Sequence, residues 1–187
     1  QTLMQILYLV PPALMLWVSF GEHTNIETIL APVLVMAAGQ LAGALAWLAI
    51  SGEDAPDLIA TAPISPASLT LAKVLSVLVP VGALMLPFVG AMAFVSPRGA
   101  VVIAAGVIAG ASSAILVQLW FRAQAKRTSF RRRQVASRVS TLLEALASIL
   151  TAATAAVAAA GSWLAIGPGL LVLIVLALAY KLRPRGR

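Results

Sequence analysis

Six long apolar runs follow one another along the chain, separated by short polar or charged connections. A membrane-spanning helix needs about 20 largely apolar residues, each rising about 1.5 Å, to cross about 30 Å of hydrocarbon. The runs lack the strict apolar–polar alternation of a barrel strand. The pattern predicts an all-α, polytopic membrane protein, a single transmembrane domain over residues 1–187 with six spans: Leu3–Phe20, Ile26–Ile50, Val74–Val95, Ala100–Phe121, Val139–Ala160 and Leu164–Leu182.

Composition supports the membrane assignment and narrows the chemistry. Of the 187 residues, 61% are hydrophobic and 10% are charged, whereas soluble domains carry about 25% charged residues. The chain has no cysteine and one histidine, His23, which excludes disulfides, thiolate metal sites, cysteine nucleophiles and a histidine-rich metal cluster. We therefore predict no catalytic residue, no metal site and no cofactor.

The basic residues predict which side of the membrane each connection occupies. Six spans place both termini and the connections at about Ser51–Lys73 and Arg122–Arg138 on one side, and Arg98 alone on the other. By the positive-inside rule the first side is cytoplasmic, in a cell membrane. Orientation and attraction to anionic lipid explain the net charge of +7 without nucleic acid. That side holds Lys73, Arg122, Lys126, Arg127, Arg131, Arg132, Arg133, Arg138, Lys181, Arg183, Arg185 and Arg187.

Small and polar residues inside the runs predict where helices pack. Gly39 and Gly43 flank Gln40 in the second run, and Gly106 and Gly110 repeat the four-residue spacing in the fourth. Such pairs let helices approach closely, and a central amide can hydrogen-bond across the contact. Packing within the chain is the first interpretation, and a subunit contact or a substrate path is the alternative. For Glu144 in the fifth run we expect an interfacial or bundle-facing carboxylate, paired with Arg138 or a similar residue.

The connection between the second and third runs is acidic and rich in proline. Glu53, Asp54 and Asp57 surround Pro56, a composition that suits the first turn of a helix. Apolar residues at helical spacing follow from Leu58, and two prolines then end the segment. Ser65 or Ser68 can cap the next helix. The sequence therefore predicts a short cytoplasmic helix across the inner mouth of a helix pair.

This connection resembles the cytoplasmic loop of ABC-type exporter permeases of the type-two family. The likeness lies in the acidic start, the short apolar helix, the Pro63-Ile64-Ser65 step and Lys73 eight residues later, between the second and third of six spans. The resemblance implies a transport component rather than an enzyme, in a dimer or pseudo-dimer with a second permease half. It also implies a coupling contact with a cytoplasmic ATP-binding subunit, formed by Glu53, Asp54, Asp57, Leu58, Pro63, Ile64 and Ser65.

Two further expectations and two alternatives accompany this resemblance. The sequence has no Gly-x-x-x-x-Gly-Lys-Ser/Thr phosphate loop, so ATP would be bound by another chain or domain. The family's amphipathic helix before the first span is missing, so we expect a C-terminal piece or half of a longer permease. One alternative is a polytopic scaffold or assembly protein without a transport cycle. A membrane-embedded enzyme acting on lipid is weaker, because the spans carry no paired carboxylates, metal cluster or Ser–His pair.

Overall fold

A computed structural model describes residues 26–51, 65–121 and 138–183, which form five helices long and apolar enough to cross a membrane. No strand occurs within these ranges, and the predicted all-α, multi-pass membrane architecture is confirmed to that extent. The predicted run Leu3–Phe20 and the predicted cytoplasmic helix lie outside the described residues. The helices are α1 (Ile26–Ser51), α2 (Pro66–Val95), α3 (Pro97–Trp120), α4 (Arg138–Ala159) and α5 (Ile166–Leu182), the last preceded by a short 3₁₀ helix, Trp163–Ala165.

Two helices begin at least three residues earlier than the apolar runs predict. α2 starts at Pro66 rather than at Val74, because the Ser65 side chain accepts a hydrogen bond from the Ser68 amide at 3.1 Å. The helix therefore takes up the last eight residues of the predicted 51–73 connection. α3 starts at Pro97 rather than at Ala100, because Ser96 caps it in the same way through the Gly99 amide at 3.0 Å. In both cases a capping serine followed by proline fixes the start of the helix.

Ser96 is the whole connection between α2 and α3, and it is tied to a third helix. Its backbone N–H donates to Met92 at the end of α2, and its hydroxyl donates to Glu27 Oε2 at 2.5 Å. Glu27 lies in the first turn of α1. The start of α1 and the junction of α2 with α3 are therefore held together at one end of the bundle.

The start of α3 is also tied to the end of α4 at this end of the bundle. The Arg98 guanidinium donates to the Ala158 carbonyl at 3.3 Å and lies beside Gly161. Gly161 has a φ of +81°, a conformation that glycine adopts without steric cost. Four helix ends thus meet on the side predicted to be extracytoplasmic, which gives the predicted alternation of helix directions. The orientation of the two ends in the membrane stays a prediction.

α1 packs against α2, α3 and α4, α3 packs against all four other described helices, and α5 packs mainly on α4. The side chains at these contacts are small. Lipid tails are as apolar as the side chains, so membrane helices associate through close packing rather than through a hydrophobic driving force. The most deeply buried apolar residues of the core include Ala31, Val35, Ala38, Ala42, Val77, Val81, Ile103 and Ala111.

Replacement of Ser96 by alanine tests the tie between the helix ends. Ser96→Ala removes both the cap of α3 and the hydrogen bond to Glu27, so we expect a loss of about 1–3 kcal/mol in the free energy of unfolding. Ser65→Ala is the matched control, because Ser65 caps α2 at an exposed position and should cost about 1 kcal/mol. Reversible unfolding in detergent micelles measures both. Equal losses of unfolding free energy in the two variants would show that the hydrogen bond between Ser96 and Glu27 does not contribute to stability.

Candidate functional site

Most of the predicted coupling contact lies outside the described residues. This applies to Glu53, Asp54, Asp57, Leu58, Pro63 and Ile64. Ser65 is described, and it is exposed at the start of α2 with its hydroxyl 2.7 Å from the Ser68 hydroxyl. The coupling contact itself stays a prediction, and what the structure adds is the position of its last residue as a helix cap.

The four predicted packing glycines lie where α1, α3 and α4 approach one another. A Cβ atom at Gly39 would lie 3.2 Å from Ser148 Oγ and 3.7 Å from the Gly110 carbonyl oxygen. One at Gly110 would lie 3.3 Å from the carbonyl oxygen of Val35, and one at Gly106 would lie 2.5 Å from Cγ2 of the same residue. Gly39 of α1 and Gly110 of α3 therefore face each other, Gly106 faces Val35 of α1, and α4 closes the contact at Ser148. This geometry is that of helix packing within one chain.

A line of polar residues on α4 runs through this contact, and we call it the polar seam: Ser140, Glu144, Ser148 and Thr151. The spacing of four, four and three residues places them on one face of the helix. Ser140, Ser148 and Thr151 are buried, and Glu144 is half-buried. The carboxylate is therefore surrounded by the bundle rather than directed into lipid, as the bundle-facing interpretation of the sequence expects.

Glu144 links α4 to both of its main neighbours. Gln118 of α3 donates to Glu144 Oε2 at 2.7 Å. On the other side the carboxylate covers Gly43 of α1 so closely that an added methyl group there would overlap it. Gly43 thus makes room for a side chain as well as for a helix backbone. The predicted partner Arg138 begins α4, and its side chain lies outside the described residues.

Sequence analysis did not identify Gln118, although a signal was present. Gln118 and Glu144 are polar residues inside apolar runs, each within two turns of a predicted cytoplasmic helix end. Residues at equal depth on neighbouring helices are candidates for pairing, because an unpaired polar group is costly in hydrocarbon. Equal depth could therefore have suggested the pair.

Of the other hydroxyls of the polar seam, that of Thr151 is satisfied within α4 and that of Ser148 is approached from α1. Thr151 Oγ1 lies 2.8 Å from the Ala147 carbonyl oxygen and 2.9 Å from that of Ser148, so its proton stays within the helix. Ser148 Oγ is reached by Gln40 Nε2 at 3.5 Å, which is long for a hydrogen bond. Within the described ranges no group of three or more His, Asp or Glu residues could hold a metal ion. The polar seam is suited to holding helices together.

The opposite end of the bundle carries the groups expected at a cytoplasmic interface. Trp120 at the end of α3 packs edge-on against Tyr180 of α5, with ring centroids 5.4 Å apart. The Arg183 guanidinium lies 3.9 Å above the centre of the Tyr180 ring. Lys73 of α2 lines a small cleft with Ile50 at the end of α1. Aromatic rings and basic side chains favour the lipid headgroup layer, so this end suits the membrane surface.

The contact of Glu144 with Gly43 predicts a compensating pair of substitutions. Gly43→Ala alone should lower the free energy of unfolding by about 1–3 kcal/mol, because the methyl group forces the carboxylate away from Gln118. In the Glu144→Ala background the same substitution should be neutral or stabilising by up to about 1 kcal/mol, since alanine is the better helix former. A double-mutant cycle in micelles measures the difference. The matched control is Gly82→Ala in α2, where nothing lies within 4 Å of the new methyl group. The prediction is contradicted if the changes in the free energy of unfolding caused by Gly43→Ala and by Glu144→Ala simply add in the double variant.

Comparison of the chain with protein-family models, with curated proteins and with solved structures gave no match.

Proposed function

We propose that the chain is the transmembrane permease component of an ATP-driven exporter, in which a separate cytoplasmic subunit hydrolyses ATP. The observation that carries this proposal is the start of α2. The helix begins at Pro66, directly after the last residue of the Pro63-Ile64-Ser65 step, and continues without interruption to Val95. A partner bound at this step would therefore act next to the start of a membrane-spanning helix.

The packing of α2 suits the transmission of such a movement. Its buried side chains, Val77, Val81 and Met85, lie in the same apolar core as Ala42 and Ala46 of α1. The acidic connection follows the last residue of α1, Ser51, so its other end is joined to α1. A rigid displacement of the connection would thus reach α1 and α2 together, which is what coupling by rigid-body motion requires.

The outward surface of α2 supports the expected second permease half. Ala72, Ser76 and Ala83 are exposed along one side of the helix, and Gly90 follows in the same register. The large exposed side chains Val79, Leu86 and Phe94 lie between and beyond these small residues, so this side is an apolar surface with gaps into which side chains of another subunit's helix can pack. A dimer or pseudo-dimer in which α2 lies at the shared surface, with lipid around the remaining helices, fits this distribution.

A polytopic scaffold without a transport cycle is the second candidate. It is favoured by the fixed character of the hydrogen bonds that hold the bundle, Glu27 with Ser96 at one end and Gln118 with Glu144 near the other. The two candidates differ in the acidic connection. A transporter needs its charges to engage the ATP-binding subunit, whereas a scaffold does not.

The test is co-purification of ATPase activity with the full chain from its native membrane. We expect an ATP-hydrolysing subunit to accompany the wild-type chain, and the triple variant Glu53→Ala, Asp54→Ala, Asp57→Ala to lose at least about ten-fold of that activity, which corresponds to about 1.4 kcal/mol of binding. Arg131→Ala, Arg132→Ala, Arg133→Ala is the matched control, since it removes three charges from the other predicted cytoplasmic connection and should retain the activity.

Two results would contradict the permease proposal. In one, no ATP-hydrolysing protein accompanies the wild-type chain. In the other, the acidic triple variant retains both the associated ATPase activity and every phenotype of the wild type, which is the result expected of a scaffold.

A further inference from the structure

Three side chains form a stack at the end of α5 that is predicted to be cytoplasmic. The Trp120 and Tyr180 rings meet at 75° with their centroids 5.4 Å apart, and the Arg183 guanidinium lies 3.9 Å from the centre of the Tyr180 ring. We call these three residues the α5 stack. Trp120 belongs to α3 and packs against buried apolar residues that include Leu143 and Ala179. The Tyr180 ring is therefore held by a neighbouring helix, and it in turn holds the guanidinium.

The α5 stack orders Arg183 and leaves its hydrogen-bond donors available. One face of the guanidinium is covered by the tyrosine ring, whereas the N–H donors lie around the edge of the group. Arg183 is exposed, and no described residue accepts a hydrogen bond from it or forms an ion pair with it. The sequence that follows α3 and α5, residues 122–137 and 184–187, contains no Asp or Glu. Because the cost of ordering a long side chain opposes binding, this partly ordered guanidinium is suited to bind an anion.

The surroundings of the α5 stack are those of the boundary between hydrocarbon and lipid headgroups. Tryptophan and tyrosine rings favour this depth, and Lys181 in the last turn of α5 offsets the partial negative charge of the helix end. Toward the middle of the helix, Leu173 and Ala177 are exposed and, at spacings of four and three residues, share one face of α5 with Tyr180. A ligand bound to Arg183 can therefore place its anion beside two positive charges and its apolar chain along this face.

We propose that the α5 stack is a binding site for the phosphate of an anionic phospholipid, whose acyl chains lie along α5. The fork of N–H groups on a guanidinium matches two oxygens of a phosphate, a geometry that an ammonium group does not provide. A lipid with a net negative charge, such as phosphatidylglycerol, is favoured over phosphatidylcholine, because Lys181 and Arg183 repel the choline cation. The site does not depend on whether the chain is a permease.

Lipid binding to the full chain in neutral detergent micelles tests the site, with native mass spectrometry counting the phosphatidylglycerol molecules bound at each lipid concentration. We expect one lipid to bind more tightly than the rest, and Arg183→Gln to raise its Kd at least about five-fold. Tyr180→Leu should raise the Kd about two- to five-fold in the wild-type chain and leave it unchanged in an Arg183→Gln chain, because the ring acts through the guanidinium. Tyr180→Phe keeps the ring and should bind the lipid as the wild type does.

Lys181→Gln is the matched control, because it removes an exposed positive charge two residues away that is not part of the α5 stack. Its effect on the Kd should be smaller than that of Arg183→Gln and should be the same with and without Tyr180→Leu. Equal effects of Lys181→Gln and Arg183→Gln would overturn the proposal, since they would show attraction to positive charge in general. So would a Tyr180→Leu effect that persists undiminished in the Arg183→Gln chain.

Two further results would overturn the choice of ligand. Equal Kd values for phosphatidylcholine and phosphatidylglycerol would show that the site does not require an anionic lipid. Displacement of the bound lipid by inorganic phosphate at the same concentration as the lipid would show that a soluble anion is the ligand. None of these results depends on whether an ATPase accompanies the chain.

Discussion

The architecture depends on the close approach of α1, α3 and α4, which the absence of side chains at four glycines makes possible. Gly39 and Gly110 face each other at the centre of this contact, and Gly43 leaves the space that the Glu144 carboxylate occupies. Without that space the Glu144 carboxylate could not keep its position beside Gln118, and the hydrogen bond that joins α3 to α4 would be lost. Close packing of these helices and hydrogen bonding of their polar side chains therefore depend on each other in this bundle. The helices approach because the glycines are small, and the polar residues are tolerated because the helices approach.

The positions of the described helices are largely predictable from the apolar runs of the sequence. Their first residues are not, because hydropathy alone does not show where a helix begins. A run of apolar residues reports the part of a helix that lies in hydrocarbon, but a helix begins where its first amides find an acceptor. The first turns of α2 contain Ser68, Thr70 and Lys73, so the apolar run starts eight residues too late. The serine and proline that set the true start, Ser65 and Pro66, are a local signal, and their effect is predictable once capping is considered together with hydropathy.

The contacts between helices are less predictable, for a physical reason. The spacing of Gly39 and Gly43 or of Gly106 and Gly110 shows that a helix has a face suited to close approach, but not which helix will occupy it. The partner of Glu144 illustrates the same point. Local reasoning predicts Arg138, one and a half turns away on the same helix, and this pairing stays a prediction because the Arg138 side chain lies outside the described residues. The hydrogen bond from Gln118 of α3 is a contact that such local reasoning does not supply. Partner choice depends on the depth and rotation of separate helices, which packing of the whole bundle determines.

The distribution of polar and apolar contacts divides the bundle into two mechanical parts. α1, α3 and α4 are joined by directional hydrogen bonds and by backbone contact at glycines, so their relative positions are fixed within narrow limits. The buried face of α2 instead consists of apolar side chains, among them Val77, Val81 and Met85, and apolar packing has no directional requirement that opposes small sliding movements. At Ser96, however, α2 is attached to the fixed part and to Glu27. A force applied near Ser65 would therefore act on the end of α2 that lies farthest from Ser96, and through α1, which borders the same connection, it would also reach α3 and α4.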